Sequence, residues 1–236
     1  MAVREHAFVS AQEAVRALAT AVAAQLDTAL KARPRASLVV SGGRSPIGFF
    51  HALREMPLDW ARVRVSLADE RWLPPQHPDS NAHLVAEHLL QGAAAAAQFV
   101  PLWDGAPSPA PAIAERQQAL GVLPRPFDAV VLGMGEDGHT ASLFPGADTL
   151  EEALCPPEER PCQWVSPPAA EHDRLTLTLP RLLATEHLIL FFRGAEKRAL
   201  YQRVLAEPDQ PAVRLRYPVA NVLFQQGTPV AVFWSP

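Results

Sequence analysis

The chain turns on one short stretch. Phe127-Asp128-Ala129-Val130-Val131 leads into Leu132 to Gly146, which reads L-G-M-G-E-D-G-H-T-A-S-L-F-P-G. A β-branched apolar run of this length reads as a buried strand. It stops in three glycines, and a backbone without Cβ atoms can approach a ligand closely. Gly133 and Gly135 are therefore candidate substrate contacts. Asp137 and His139 offer an acid–base pair, and Thr140 and Ser142 add hydroxyls. In open α/β sheets, ligands sit beyond the carboxyl ends of the strands. The segment has the composition and the place of a reaction centre in such a sheet.

Gly133, Gly135 and Gly138 also spell G-x-G-x-x-G after a strand, the dinucleotide fingerprint. That reading is set aside. The fingerprint needs a long helix directly after the glycines, and Pro145 and Gly146 interrupt this one. It also needs an acid ending a second strand about 20 residues on, where this chain has a Pro-rich loop from Cys155 to Pro161.

Three more strand ends carry polar clusters. Ser37-Leu38-Val39-Val40 reads as a strand and runs into Ser41-Gly42-Gly43-Arg44-Ser45-Pro46. Ser45 is a good N-cap and Pro46 a favoured first helical residue, so a helix to about Glu55 is expected. Glycine amides, a helix N-terminus, hydroxyls and Arg44 then make an anion site of Gly42 to Ser45. Val63 to Ala68 alternates as a strand and ends at Asp69-Glu70-Arg71-Trp72, read as a stiff, packed loop. Asp69 could orient a side chain there, and Arg71 could clamp an oxyanion. His187 to Phe192 is another apolar strand, ending at Arg193-Gly194-Ala195-Glu196-Lys197.

The rest reads as scaffold. Ser10-Ala11-Gln12-Glu13 is a capping box opening a helix to about Ala32. Ser80 caps a helix to Leu90 that carries His83 and His88, and His77 lies just before it; these histidines are weaker candidates. A helix is expected from Ala112 to Leu120. Gln163 to Ser166, Arg174 to Leu179 and Pro229 to Trp234 read as strands, and Val213 to Phe224 is ambiguous. Alternating strands and helices predict a mostly parallel sheet in layers. Right-handed crossovers bring its carboxyl ends to one edge, so the four clusters should share one cleft.

Charge and composition narrow the partners. A net charge of −4 and no basic stripe argue against nucleic acid. No signal peptide or membrane-length apolar run is visible, so a cytoplasmic protein is expected. Cys155 and Cys162 fit neither a C-x-x-C motif nor a zinc knuckle. No three-ligand metal spacing appears, so neither metal nor cofactor is expected. A phosphate loop with one histidine, carboxylates and cations suits a small phosphorylated substrate and an acid–base step. Histidine, with an unperturbed pKa of about 6.5, serves as a base near neutral pH. Ser142 lacks a G-x-S-x-G elbow, so direct attack by water is expected rather than a covalent intermediate.

At these residues the sequence resembles the 6-phosphogluconolactonase family, within the larger group shared with glucosamine-6-phosphate isomerase/deaminase. The matching pieces are Ser41–Pro46, Asp69–Leu73 with Asp79-Ser80-Asn81, Gly133–Pro145, Arg174–Thr178 and Gly194–Lys197. The resemblance implies hydrolysis of 6-phosphoglucono-δ-lactone, a Rossmann-like fold and no metal. It implies His139 as general base with Asp137 beside it. Gly43, Ser45, Arg174 and Lys197 become phosphate or substrate contacts, and Asp69 and Arg71 cleft residues. Arg44 departs from the family, where many members carry a small polar residue, which leaves its direction open. The isomerase/deaminase branch is the alternative; its members usually read D-E-Y and G-H-I-A-F-N-E-P where this chain has Asp69-Glu70-Arg71 and Gly138–Pro145. A non-catalytic sugar-phosphate sensor is a further alternative, but no segment is left for a DNA-binding module. The expectation is one domain over residues 1–236, acting as a monomer or small homo-oligomer.

Overall fold

The computed structural model describes residues 3–107, 113, 116, 118–156, 158, 160–168 and 170–236. Seven strands form the main sheet: β1 (Arg4–Ala7), β2 (Ala36–Val40), β3 (Val63–Leu67), β5 (Gln98–Val100), β6 (Ala129–Leu132), β9 (Leu188–Arg193) and β10 (Val230–Ser235). A second sheet holds β4 (Asp69–Arg71), β7 (Cys162–Val165) and β8 (Arg174–Leu177). The helices are α1 (Ala11–Ala32), α2 (Ile47–Arg54), α3 (Asn81–His88), α4 (Leu150–Leu154), α5 (Leu179–Leu183), α6 (Ala195–Ala206), α7 (Pro211–Arg216) and α8 (Ala220–Leu223). Among the described residues no helix is long and apolar enough to cross a membrane.

The main sheet is parallel throughout, in the order β1-β10-β9-β6-β2-β3-β5. This is the α/β, Rossmann-like arrangement expected, a mostly parallel sheet flanked by helices. Every residue of β2 and β6 is buried, and so are five of the six in β9. Strands covered on both faces are unbroken apolar runs for that reason. From β2 the chain moves through β3 to β5 on one side, then returns to β6 and moves through β9 to β10 on the other. The order reverses between β2 and β6, and the carboxyl ends beside such a switch splay open into a crevice. The Ser41–Ser45 loop leaves one of these strands and the Gly133–His139 loop leaves the other.

α1 packs across β2, β6 and β10. Its buried Ala14, Leu18, Val22, Leu26 and Leu30 recur at helical spacing. Ser10 Oγ accepts from Glu13 N at 3.2 Å, so the expected cap forms.

Two expectations are corrected, and two further segments gain an assignment. Asp69-Glu70-Arg71 is a strand, not a loop: β4 pairs antiparallel with β8, Asp69 opposite Thr176 and Arg71 opposite Arg174. Ser45 caps nothing; α2 starts at Ile47 with Pro46 in the cap position and no side-chain cap bond. Val213 to Phe224 resolves into two short helices, α7 and α8. β1 was not anticipated, because its sequence, Arg-Glu-His-Ala, is mostly polar and largely exposed. Its main chain pairs with β10, Glu5 pairs with Arg198 and accepts from Tyr201 Oη at 3.4 Å, and His6 stacks on Phe233. Of the expected helix over 112–120, residues 113, 116, 118 and 119 are helical and Leu120 begins a 3-10 turn; 112, 114, 115 and 117 lie outside the described residues.

Candidate active site

One cavity of about 470 Å³ opens beyond the carboxyl ends of β2 and β6. Its wall takes Gly42, Gly43, Arg44 and Ser45 from the first loop, and Gly133, Gly135, Asp137 and His139 from the second. Asp69 and Arg71 come from β4, and Lys197 from the first turn of α6. Four segments far apart in sequence meet there, as the single-edge argument expects. Arg44 lines the cavity. Arg174 does not line it. That side chain is buried in β8, and its Nη1 donates to His172 O at 2.8 Å.

His139 and Asp137 form one unit. His139 Nδ1 lies 2.5 Å from Asp137 Oδ1, and the same oxygen accepts from His139 N at 3.0 Å. With its proton directed at the carboxylate, Nδ1 leaves Nε2 as the basic nitrogen. Burial works to raise the Asp137 carboxyl, but the hydrogen bonds from the His139 ring and backbone outweigh it and hold the group below its ordinary range. The ring is closely packed. Phe144 packs at 4.4 Å between centroids, and a Cβ on Gly135 would stand 2.2 Å from Nδ1.

The loop is tied back onto itself. Gly135 N donates to His139 O, Gly138 N to Gly135 O and Thr140 Oγ1 to Gly133 O. The Gly135 and Gly138 amides are thereby occupied, which takes them out of the oxyanion role that a Gly-rich loop invites. Ala141 stands at φ 48° in the left-handed region. Such strain in a non-glycine residue costs on the order of 1 kcal/mol and gathers at functional sites. Val219 N holds the loop from outside through Gly138 O at 2.9 Å.

The first loop is equally close-packed. A Cβ on Gly42 would stand 1.9 Å from Asn81 Oδ1, so only glycine fits beneath that amide. Asn81 is buried, borders the cavity and donates from Nδ2 to Asp69 O at 2.8 Å. It was part of a matched motif but was not singled out as a site residue. Lys197 stands between charges of both signs. Burial lowers its pKa and nearby Arg44 does the same, while Glu136 and Asp137 act to raise it; the net direction is down.

The strand character of β4 explains its three charged residues. Successive side chains of a strand point to opposite faces. Asp69 and Arg71 share one face and border the cavity; Glu70 turns the other way, under α3. Glu70 is fully buried. Oε1 accepts from Arg71 N and Asn81 N, both at 2.7 Å. Oε2 accepts from Ala82 N at 2.7 Å and Ser80 Oγ at 3.2 Å. Burial pushes the carboxyl up to about 7, against the pull of the three backbone donors. Glu70 is thus a cap for the N-terminus of α3 that fixes the strand carrying Asp69 and Arg71. Arg71 Nη1 donates to Asp79 O at 2.5 Å.

Among the described residues no group of three His, Cys, Asp or Glu could hold a metal ion. Cys155 and Cys162 are free thiols; Cys162 is buried and burial pushes it up to about 12. Around one cavity the arrangement offers a base oriented by a carboxylate, an acceptor and a cation from β4, and two further cations with hydroxyls and glycine amides.

A family model described as glucosamine-6-phosphate isomerases/6-phosphogluconolactonase matches residues 9–234. The chain is 46% identical to a 6-phosphogluconolactonase of Pseudomonas aeruginosa over 96% of its length and 92% of that protein's. It is 45% identical to one from Mesorhizobium japonicum, over 98% of this chain and 94% of the other. The crystal structure of a 6-phosphogluconolactonase from Shewanella baltica superposes with a TM-score of 0.95 at 38% identity, covering 99% of this chain and 98% of that one.

Proposed function

The chain belongs to the glucosamine-6-phosphate isomerase/6-phosphogluconolactonase family, and from that premise we infer that it is a 6-phosphogluconolactonase, hydrolysing 6-phosphoglucono-δ-lactone to 6-phosphogluconate. The observation that carries the chemistry is the short contact between His139 and Asp137 beside a cavity lined by Lys197 and Arg44.

In this reading His139 Nε2 takes a proton from water as its oxygen attacks the lactone carbonyl. The carbon–oxygen bond to water forms and the carbonyl oxygen becomes an oxyanion. Arg71 is the cation assigned to that oxyanion, helped by amides of the second loop not taken up internally; preorganised donors of this kind contribute about 3–4 kcal/mol. The tetrahedral carbon then expels the ring oxygen, which recovers the proton from the imidazolium as a hydroxyl. The remaining proton of water leaves with the new carboxylic acid. Asp137 stabilises the transient imidazolium and keeps the tautomer correct. Removing a positioned general base of this kind costs 10²- to 10⁴-fold in rate.

Lys197, Arg44, Ser45 and the Gly43 amide are assigned to the phosphate. Remote binding of this kind positions the carbonyl against the water. Every group assigned comes from one chain, which we take as one catalytic domain over 1–236, and no step calls for a cofactor. The test is acid release from freshly prepared 6-phosphogluconolactone. Enzyme should accelerate ring opening well above the spontaneous rate; no acceleration would overturn the assignment.

A further inference from the structure

Ser142 lies outside the mechanism just described and does not border the cavity. It is fully buried, and its Oγ donates to Asp69 Oδ2 at 2.6 Å. Its backbone N–H points at Thr176 Oγ1, 3.4 Å away, on the strand next to β4. A buried hydroxyl-to-carboxylate bond of this length is charge-assisted and strong. It ties the loop carrying His139 to the strand carrying Asp69, since Ser142 follows His139 by three residues.

The bond also sorts the two oxygens of Asp69. Oδ2 is held by Ser142. Oδ1 accepts no hydrogen bond from any described residue, although the residue as a whole is buried and borders the cavity. The nearest cations hydrogen-bond other atoms, Arg71 Nη1 on Asp79 O and Arg174 Nη1 on His172 O, and Arg174 meets the Asp69 charge without a hydrogen bond to Oδ1. Oδ1 is not shut away from solvent, so it stays open to the cavity and free to accept a donor from the substrate. The substrate's own donors are the hydroxyls of its sugar ring.

We propose that Asp69 selects the substrate by accepting a hydrogen bond from one ring hydroxyl of the lactone, and that Ser142 is the positioning residue that aims it. This rests on the lactonase reading. Sites built to pair a substrate hydroxyl reject the analogue lacking it strongly, because the protein's polar group is then left unpaired. Ser142 acts only through Asp69, so its removal should weaken discrimination rather than chemistry as such.

The experiment measures kcat/KM for the parent 6-phosphogluconolactone and its 2-, 3- and 4-deoxy analogues on wild type, Ser142→Ala and Asp69→Asn, corrected for spontaneous opening. Wild type should lose on the order of 10²-fold on one deoxy lactone. Asp69→Asn places an amide donor in the cavity or at Ser142, and that selectivity should collapse to within a few-fold. Ser142→Ala should fall between, with the same analogue affected. Ser142→Thr keeps the hydroxyl and should restore most of the ratio. Because selectivity is a ratio of two substrates on one protein, a variant that is partly unfolded still reports it. Equal wild-type rates on all four lactones, or an unchanged ratio in Asp69→Asn, would overturn the proposal while leaving the lactonase reading intact. No hydrolysis of the parent lactone would instead remove both.

Discussion

The imidazole of His139 lies directly on the Cα of Gly135: a Cβ there would sit 2.2 Å from both Nδ1 and Cε1, and 2.7 Å from Asp137 Oδ1. The glycine is therefore part of how the base is aimed. Gly135→Ala should displace the ring and its carboxylate together. We expect kcat to fall by 10² or more, since misplacement by about 1 Å costs that much, with the thermal midpoint lowered only modestly. Steady-state kinetics beside a melting curve decide it; an unaltered kcat would mean that the ring relaxes without loss.

His139→Ala removes the proposed base itself. The expected loss in kcat is 10²- to 10⁴-fold. Calorimetric binding of 6-phosphogluconate should persist, because the phosphate contacts come from other segments. Retention of near-wild-type turnover would mean that His139 serves only the packing of the loop.

Asp137→Asn keeps the shape and removes the charge. The amide no longer stabilises the imidazolium and can hold the ring in the wrong tautomer, so kcat should fall by about 10²-fold or more. A kcat within a few-fold of wild type contradicts the pairing.

Phosphate recognition separates two cations that the sequence treats alike. Lys197 lines the cavity, whereas Arg174 is buried in β8 with Nη1 on a carbonyl. Wild type should prefer the phosphorylated lactone over plain gluconolactone by 10²- to 10⁴-fold in kcat/KM, from two or three charge-assisted bonds of about 1.5–3 kcal/mol each. Lys197→Ala should shrink that gap by harming the phosphorylated substrate. Arg174→Ala should leave the ratio nearly unchanged while lowering stability. The four rates on each protein distinguish these outcomes.

Glu70→Gln tests the buried cap beneath α3. Each carboxylate oxygen accepts two donors, so either amide orientation sets an NH₂ group against backbone N–H groups. The expected cost is about 2–4 kcal/mol, read from urea unfolding. A pH effect follows with a definite sign. The folded-state pKa is raised to about 7 from 4.5, so the folded protein holds this proton more tightly than the unfolded chain does. The contribution to stability is full below about 4.5 and is lost as pH rises through 7. Between pH 5 and 8, wild type should show this downward component and Glu70→Gln should lack it. Parallel pH curves for the two would contradict the assignment.

Much of this was legible in the chain as written. The capping box at Ser10, the buried runs of β2, β6 and β9, and the polar clusters ending them are local patterns that parallel strands require. Once the strands are parallel with right-handed crossovers, their carboxyl ends must meet. That topological rule placed Gly43, Asp69, Asp137, His139 and Lys197 in one cleft without coordinates. The tertiary structure decided what has no local signature. Asp69-Glu70-Arg71 looks like a charged loop until β8 pairs with it, and only that pairing sends Glu70 away from its neighbours. Arg174 stands opposite Arg71 on the same face of the small sheet, yet it is buried and does not line the cavity. Ser142 reaches the site through Asp69, and Asn81 borders the cavity and also bonds Asp69, across 73 and 12 residues of chain. Periodicity reports which face of an element is buried; which partner a polar atom meets depends on elements that the segment itself does not contain.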